Sequence, residues 1–376
     1  MAFLRWNKKL KCVLPVTFFI LFVTFSALNS SWFPAIKNER NDTLLTVFDS
    51  SEISKSSSSN LTKVTTENDN EHEVENIVID VLLQFVNSKS QPKLRGRFQQ
   101  VVKSMLKYAT VPINLHLVAD EYSYSIARGI LDELEKNSVR LPRLIYHNSR
   151  NISKLLAKTI QPLQFLFSSR GSYYESAIFF IAVALHRILP TNLTKLIMFD
   201  LDMDVRGNIL NLYRKFRDMR ATNIMALARE QQPVYYHLTW WYRSLHKNES
   251  IGDPPPYGKT GFNSGTKLLN LQQMRVNKVY NSYLDNPILV KNLVEKYNFR
   301  GHLGDQDFYT LLSFEHPELF HVLPCQWNRQ LCTWWRDSGG YEDIFDKYHH
   351  CSSPIYVYHG NCNTPYNQSE IDLKEK

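Results

Sequence analysis

Apolar and polar positions follow two rhythms along this chain, and each change of rhythm marks an element. Ile77 to Val86 is a largely apolar run, short enough for a buried strand. Beyond it, Phe98, Val101, Val102, Met105 and Leu106 recur at helical spacing on one face. A strand over Ile113 to Val118, a helix over Ser125 to Leu134 and a strand over Arg143 to Tyr146 follow. The pattern then predicts a long apolar helix over Tyr174 to Leu189 and a strand over Lys195 to Phe199. A helix over Asn208 to Met219 and a strand over Ile224 to Ala228 complete the run. Strands alternating with helices predict an α/β fold with a mostly parallel sheet covered on both faces. Ligands of such sheets bind beyond the carboxyl ends of the strands. Pro254-Pro255-Pro256 reads as a rigid loop before a second, less regular half.

The first 75 residues follow neither rhythm. Arg5, Lys8, Lys9 and Lys11 precede an uncharged apolar run from Cys12 to Leu28. At ~1.5 Å per residue this run reaches about 25 Å, the short end of what spans a bilayer. We read it as an uncleaved signal anchor rather than a cleaved signal peptide, with the cationic end held in the cytosol. From Asn41 to Glu75, eight acidic residues face two basic ones and apolar positions are sparse and aperiodic, the pattern of a flexible stalk. The expected organisation is a cytosolic tail (1–11), a transmembrane helix (12–28), a lumenal stalk (29–75) and a lumenal globular part (76–376).

This division changes what the composition means. The net charge of +8 on 376 residues becomes +9 on residues 76–376, which suits a phosphorylated or acidic ligand in the lumen rather than a nucleic acid. Of five cysteines, Cys12 lies at the membrane, while Cys325, Cys332, Cys351 and Cys362 crowd together without the close pairs of a zinc site. Two disulfides are expected in an oxidising lumen, with three pairings open. Sequons at Asn29, Asn41, Asn60, Asn151, Asn192, Asn248 and Asn367 agree with a secretory-pathway address.

The sharpest chemical feature is LIMFDLDMD, a hydrophobic strand ending in Asp200, Asp202 and Asp204. Carboxylates two apart on a strand point the same way and can share one divalent cation. An EF-hand would need Gly and Glu where Val205 and Asn211 stand. A haloacid-dehalogenase-type phosphatase would carry Thr or Val in place of Asp204. The remaining reading is the metal-binding D-x-D of a nucleotide-sugar transferase. GFNSGTKLLNL, from Gly261, suggests a backbone turn presenting Asn263 and Ser264 to sugar hydroxyls. FRGHLGDQDF puts Asp305, Gln306 and Asp307 at a helix N-terminus, where one acid can cap the helix. VYHGNCNTP offers His359, whose imidazole suits a site otherwise built from carboxylates.

In this order and spacing, D-x-D, N-S-G, D-Q-D and a late H-G resemble glycosyltransferase family 8. AREQQPVYYHLTWWYR, PPPYGKTGFNSG, YNFRGHLGDQDF, CQWNRQLCTWWRD and YHGNCNTP are similar to its xyloside α-1,3-xylosyltransferase branch. The resemblance runs from about Leu196 to Pro365 and implies a GT-A-type nucleotide-sugar-binding fold. It implies Asp200, Asp202 and His359 as ligands of Mn²⁺, the expected cofactor. Val86, Asn87, Leu201, Asn263, Ser264 and Leu303 would line the donor, Asp305 would hold its sugar hydroxyls, and Gln306 would lie near the anomeric carbon. On the acceptor side stand His237, Thr239, Trp240, Trp335, Asn361 and Asn363.

The implied reaction transfers xylose from UDP-xylose, with retention, to the xylose of xylose-α-1,3-glucose O-linked on EGF repeats of Notch-type proteins. The implied address is the endoplasmic reticulum membrane, in a single-pass type II orientation. Partners expected are the donor, the glycosylated EGF repeats, the membrane through the anchor and a second copy as a homodimer. The alternatives are transfer to the O-linked glucose itself and a non-catalytic lumenal sugar-binding protein.

Overall fold

A computed structural model describes residues 77–366 apart from Ser138, Arg170 and Ser172. The expected tail, anchor and stalk, Cys12 and the sequons at Asn29, Asn41, Asn60 and Asn367 lie outside the described residues. Among those described, no helix is long and apolar enough to cross a membrane.

Seven strands form the main sheet: β1 (Ile79–Phe85), β2 (Ile113–Ala119), β3 (Arg143–Asn148), β4 (Lys195–Phe199), β6 (Met225–Arg229), β7 (Phe262–Asn270) and β8 (Phe320–Leu323). Their order is β3-β2-β1-β4-β7-β6-β8. All neighbours pair in parallel except β7, which runs against both β4 and β6. The sheet is therefore mixed and mostly parallel, as the alternating pattern predicts. A small second sheet, in the order β5-β10-β9, joins β5 (Met203–Val205), β10 (Val357–His359) and β9 (Arg329–Gln330).

The main sheet is apolar on both faces because each face carries its own core. Leu82, Leu196 and Met198 pack on one side with the Ala157–Phe167 and Asp305–Glu315 helices. Val81, Phe85, Ile197 and Phe199 pack on the other with the Lys93–Lys107 and Glu121–Lys136 helices. Consecutive residues of β4 thus fill opposite cores, which is why its sequence is a continuous apolar run instead of an alternation.

Three expectations change. Tyr174 to Leu189 is not one helix: 3-10 turns at Ala177–Phe180 and Leu185–Arg187 flank a single α turn, Ile181–Ala184. Phe180 to Leu185 are buried on every side, so packing from several directions bends the segment where a polar face would have kept it straight. The Asn263-Ser264 stretch is no turn either, but the interior of β7, with a bulge where pairing to β6 jumps between Leu227 and Ala228. Finally, no acid caps the Asp305–Glu315 helix. Gly304, at φ 72°, holds the cap position, and Asp307 reaches back to accept from the Leu303 N–H at 2.7 Å.

Asp120 ties helix capping to the carboxyl edge of the sheet. It caps the Glu121–Lys136 helix by accepting from the Ser123 N–H (2.9 Å), and it also accepts from the Asn87 N–H (2.7 Å). Burial alone would raise its pKa, but hydrogen bonds from Ser123 and Asn87 hold it below the usual carboxylate value. Asp120→Ala should lower stability by about 1–2 kcal/mol in urea unfolding and loosen Asn87, which sits at φ 61°.

Candidate metal and donor site

β4 ends at Phe199, and the chain then crosses from the large sheet to the small one in three residues. The Asp200 N–H donates to the Gly265 carbonyl (2.9 Å), and the Asp202 carbonyl accepts from the Gly360 N–H (2.8 Å). Met203 then enters β5, opposite His359 at the end of β10. Asp200, Asp202 and His359 are thereby brought together, each with a ligand atom within 4.8 Å of the others. His359 Nε2 lies 3.4 Å from Asp202 Oδ1. The Asp200 side chain is 42% exposed and that of His359 6%, so the trio is rooted in the protein and opens on one side.

The donor set fits a divalent cation: two carboxylates and one imidazole, with the imidazole oriented from behind. His359 Nδ1–H donates to Asn328 Oδ1 (3.0 Å), leaving Nε2 for the ligand position. Gly265 makes room for that ring, since a Cβ there would stand 2.5 Å from His359 Cε1. Burial would lower the pKa of His359, but the Asp202 carboxylate beside it raises it. Burial would conversely raise Asp202, and His359 together with Arg97 brings it down. Asp204 belongs elsewhere: it binds Arg206 Nε (2.9 Å) and Gln100 Nε2 (2.8 Å).

A relay of buried polar groups runs away from the ligands. Asn328 Nδ2 donates to Asn263 Oδ1 (2.9 Å), and Asn263 Nδ2 donates to Glu230 Oε2 (3.1 Å). Gln306 Nε2 reaches the same carboxylate oxygen at 3.3 Å, while Gln306 Oε1 accepts from the Ser264 N–H at 3.1 Å. The Ser264 hydroxyl donates to Asp305 Oδ1 (3.0 Å). Lys267, buried on β7, places its ammonium 3.5 Å from Asp305 Oδ2 and 3.9 Å from Asp200 Oδ1. Burial raises Glu230 to about 7 and raises Asp305, against the pull of Lys267.

Asn263 is thus a buried hub and not a group presented to sugar. Ser264, Asp305 and Gln306 do stand together, each less than a tenth exposed. Leu201 and Leu303 are partly buried against opposite cores. Val86 and Asn87 line a cavity of ≈ 640 Å³ with Asp120, Tyr122, Asn148 and Ser176, at the carboxyl ends of β1, β2 and β3. Since β1 pairs with β4, the cavity and the ligand trio share one edge of the sheet.

The acceptor-side residues divide. The His237 ring sits 5.1 Å from that of Trp335, and its Nδ1 is 2.7 Å from the Tyr341 hydroxyl. Trp240 is exposed. Thr239 departs from expectation: it is fully buried, its hydroxyl donating to the Tyr235 carbonyl (2.6 Å). Asn361 Oδ1 is taken up by the Leu331 and Cys332 N–H groups, and Asn363 Oδ1 by Arg97 (2.7 Å). The four C-terminal cysteines pair as Cys325–Cys351 and Cys332–Cys362.

No family model matches the chain. Xyloside xylosyltransferase 1 of Mus musculus is 42% identical over 291 residues, covering 76% of this chain and 74% of that protein. That of Homo sapiens matches with the same identity and coverage. The chain belongs to the xyloside xylosyltransferase family. The crystal structure of the mouse xyloside xylosyltransferase 1 in its apo form superposes with a TM-score of 0.72 at 41% identity, covering 77% of this chain and 99% of that one. The mostly parallel mixed sheet and its edge site are accordingly those of a GT-A-like glycosyltransferase.

Arg97, Glu230, Lys267 and Asn328 are the site residues that sequence reasoning missed. Lys267 carried a visible signal, the lone charged residue of β7, next to Leu268 and Leu269. Asn328 carried none. Asn328→Leu should leave the protein folded but lower its affinity for a divalent cation by ~10–100-fold in calorimetric titration, because the imidazole loses its orienting partner.

Proposed function

We propose that this chain transfers xylose from UDP-xylose, with retention, to the xylose of xylose-α-1,3-glucose O-linked on EGF repeats of Notch-type proteins. The observation that carries the reading is the convergence of Asp200, Asp202 and His359 beside the cavity, in a chain 42% identical to xyloside xylosyltransferases. In the same reading residues 1–11, 12–28 and 29–75 are tail, anchor and stalk. Residues 76–376 are the catalytic part, facing the lumen of the endoplasmic reticulum.

A Mn²⁺ ion held by Asp200, Asp202 and His359 would offset charge on the departing diphosphate. The chain's own residues do the rest. The Val86–Asn87 end of the cavity takes the uridine, as the carboxyl edge of an α/β sheet does for nucleotides. Asp305, oriented by the Ser264 hydroxyl and Lys267, binds donor-sugar hydroxyls. Gln306 stands where an electron-rich carbonyl can stabilise positive charge at the anomeric carbon without forming a bond to it. Retention then requires that the acceptor hydroxyl approach on the leaving-group side and give its proton to the departing phosphate oxygen. The His237–Trp335–Tyr341 cluster offers aromatic faces to the acceptor.

The full-length chain, incubated with UDP-xylose, Mn²⁺ and xylosylglucosyl-EGF, should add one pentosyl group, ~132 Da, by mass spectrometry. Product on glucosyl-EGF alone would shift the reading to the O-linked glucose, and product on neither would overturn it. Asp202→Ala should keep the parent circular-dichroism spectrum and melting profile with little turnover, and chelation by EDTA should reproduce that loss in the parent protein.

A further inference from the structure

Glu230 is a site group to which the reaction above gives no role. It follows β6 directly, is 2% exposed, and its Oε2 accepts from both Asn263 Nδ2 and Gln306 Nε2. Its other oxygen, Oε1, is buried without a hydrogen-bond partner. A hydrogen-bonding contact from Gln232 pulls the Glu230 pKa down against burial, but it does not reach Oε1 with full hydrogen-bond geometry. A buried carboxylate oxygen left unpaired is costly, and a fold that keeps one gains something elsewhere.

The gain lies in the amide of Gln306. Its carbonyl oxygen already accepts from the Ser264 N–H, and its NH₂ is held by Glu230. Turning the amide over would set its oxygen against a carboxylate and its NH₂ against an N–H donor, so the flipped state is disfavoured at both ends. With one lone pair on Ser264, the carbonyl has its second free for another contact. Gln306 stands next to Asp305, whose carboxylate is fixed by Ser264 and Lys267.

We propose that Glu230 is a positioning residue: by accepting from the Gln306 NH₂ it locks that amide with its carbonyl oxygen toward the reacting sugar. The proposal rests on the transferase reading. Glu230 itself touches no substrate.

The test compares parent, Glu230→Gln and Glu230→Asp full-length proteins by steady-state kinetics, UDP titration and thermal melting. Glu230→Gln keeps the size but replaces one carboxyl oxygen with an NH₂ donor, which permits the Gln306 amide to turn. It should lower kcat by ~10–100-fold, with KM for UDP-xylose and UDP affinity within about 3-fold of the parent. Glu230→Asp, still a carboxyl group but one methylene short, should recover part of the loss. An unchanged kcat in Glu230→Gln would overturn the proposal. So would a joint fall of kcat, UDP affinity and melting temperature in both variants, the pattern of a purely structural residue. A parent protein inactive on either acceptor would instead count against the transferase reading. The crystal structure of Glu230→Leu decides the positioning role in that event: a turned or displaced Gln306 amide supports it, and an unchanged one refutes it.

Discussion

The site depends on how the chain crosses between two sheets. β4 leaves the large sheet at Phe199 and β5 begins at Met203, so Asp200, Leu201 and Asp202 must span the gap with their backbone groups satisfied. Gly265 takes the first N–H and Gly360 supplies the donor for the last carbonyl. On either side of the gap, Ile197, Phe199, Met203 and Val205 all lie in the same core, each at most 1% exposed. The two aspartates are held like beads on a short string fixed at both ends. Neither β7 nor β10 could shift without breaking one of those two hydrogen bonds, so the third ligand on β10 arrives already in register.

The same crossing organises the electrostatics. Starting from His359 Nδ1–H, each amide in the relay has only one workable orientation. Asn328 must accept from the imidazole and therefore donate to Asn263, which must in turn donate to Glu230. The chain ends on a carboxyl group whose Oε2 accepts from two amides at once. From the opposite side, Lys267 lies near both Asp200 and Asp305 and offsets part of the cost of ionisation that burial gives each. Such a network, buried and fully directional, rigidifies what it surrounds. It also means that the ligand imidazole and the Gln306 amide are oriented by one set of bonds.

What the sequence made legible was local. LIMFDLDMD reads as a strand with acids at its exit because the apolar run and the acid spacing are contiguous, and β4 has the predicted bounds. The first three strands and two helices were equally visible, each carrying its own period. Asn263-Ser264-Gly265 misled because its composition is that of a turn, whereas the pairing of Asn263 with Ala228 of β6 and the Asp200 N–H on the Gly265 carbonyl draw it into a strand. Tyr174 to Leu189 misled for the opposite reason, since uniform apolarity hides where packing breaks a helix. Glu230, Asn328 and Arg97 were invisible because their partners lie 31 to 266 residues away in sequence. No periodicity encodes such distances.

The acceptor side follows from the metal side through a covalent tether. β10 pairs in parallel with β9, and the Leu331 N–H still donates to the His359 carbonyl at 3.0 Å. Beyond that point the two strands leave the sheet together, fastened by Asn361 on the Leu331 and Cys332 N–H groups and by Cys332–Cys362. Trp334 and Trp335 follow within three residues of the tether, and Trp335 meets His237 and Tyr341. A crosslink closing a loop of this size, 30 residues apart in sequence, contributes ~3 kcal/mol by restricting the unfolded chain. Its position carries a second consequence. The aromatic cluster is measured from the same strand end that presents the His359 imidazole, so its distance from the Asp200, Asp202 and His359 trio is set by two bonded loops. Asn361 and Asn363 take part in this as fasteners, one to the neighbouring loop and one to Arg97 beside Asp202. Polar residues after a ligand histidine can serve a reaction by fixing where its two substrates meet, without touching either.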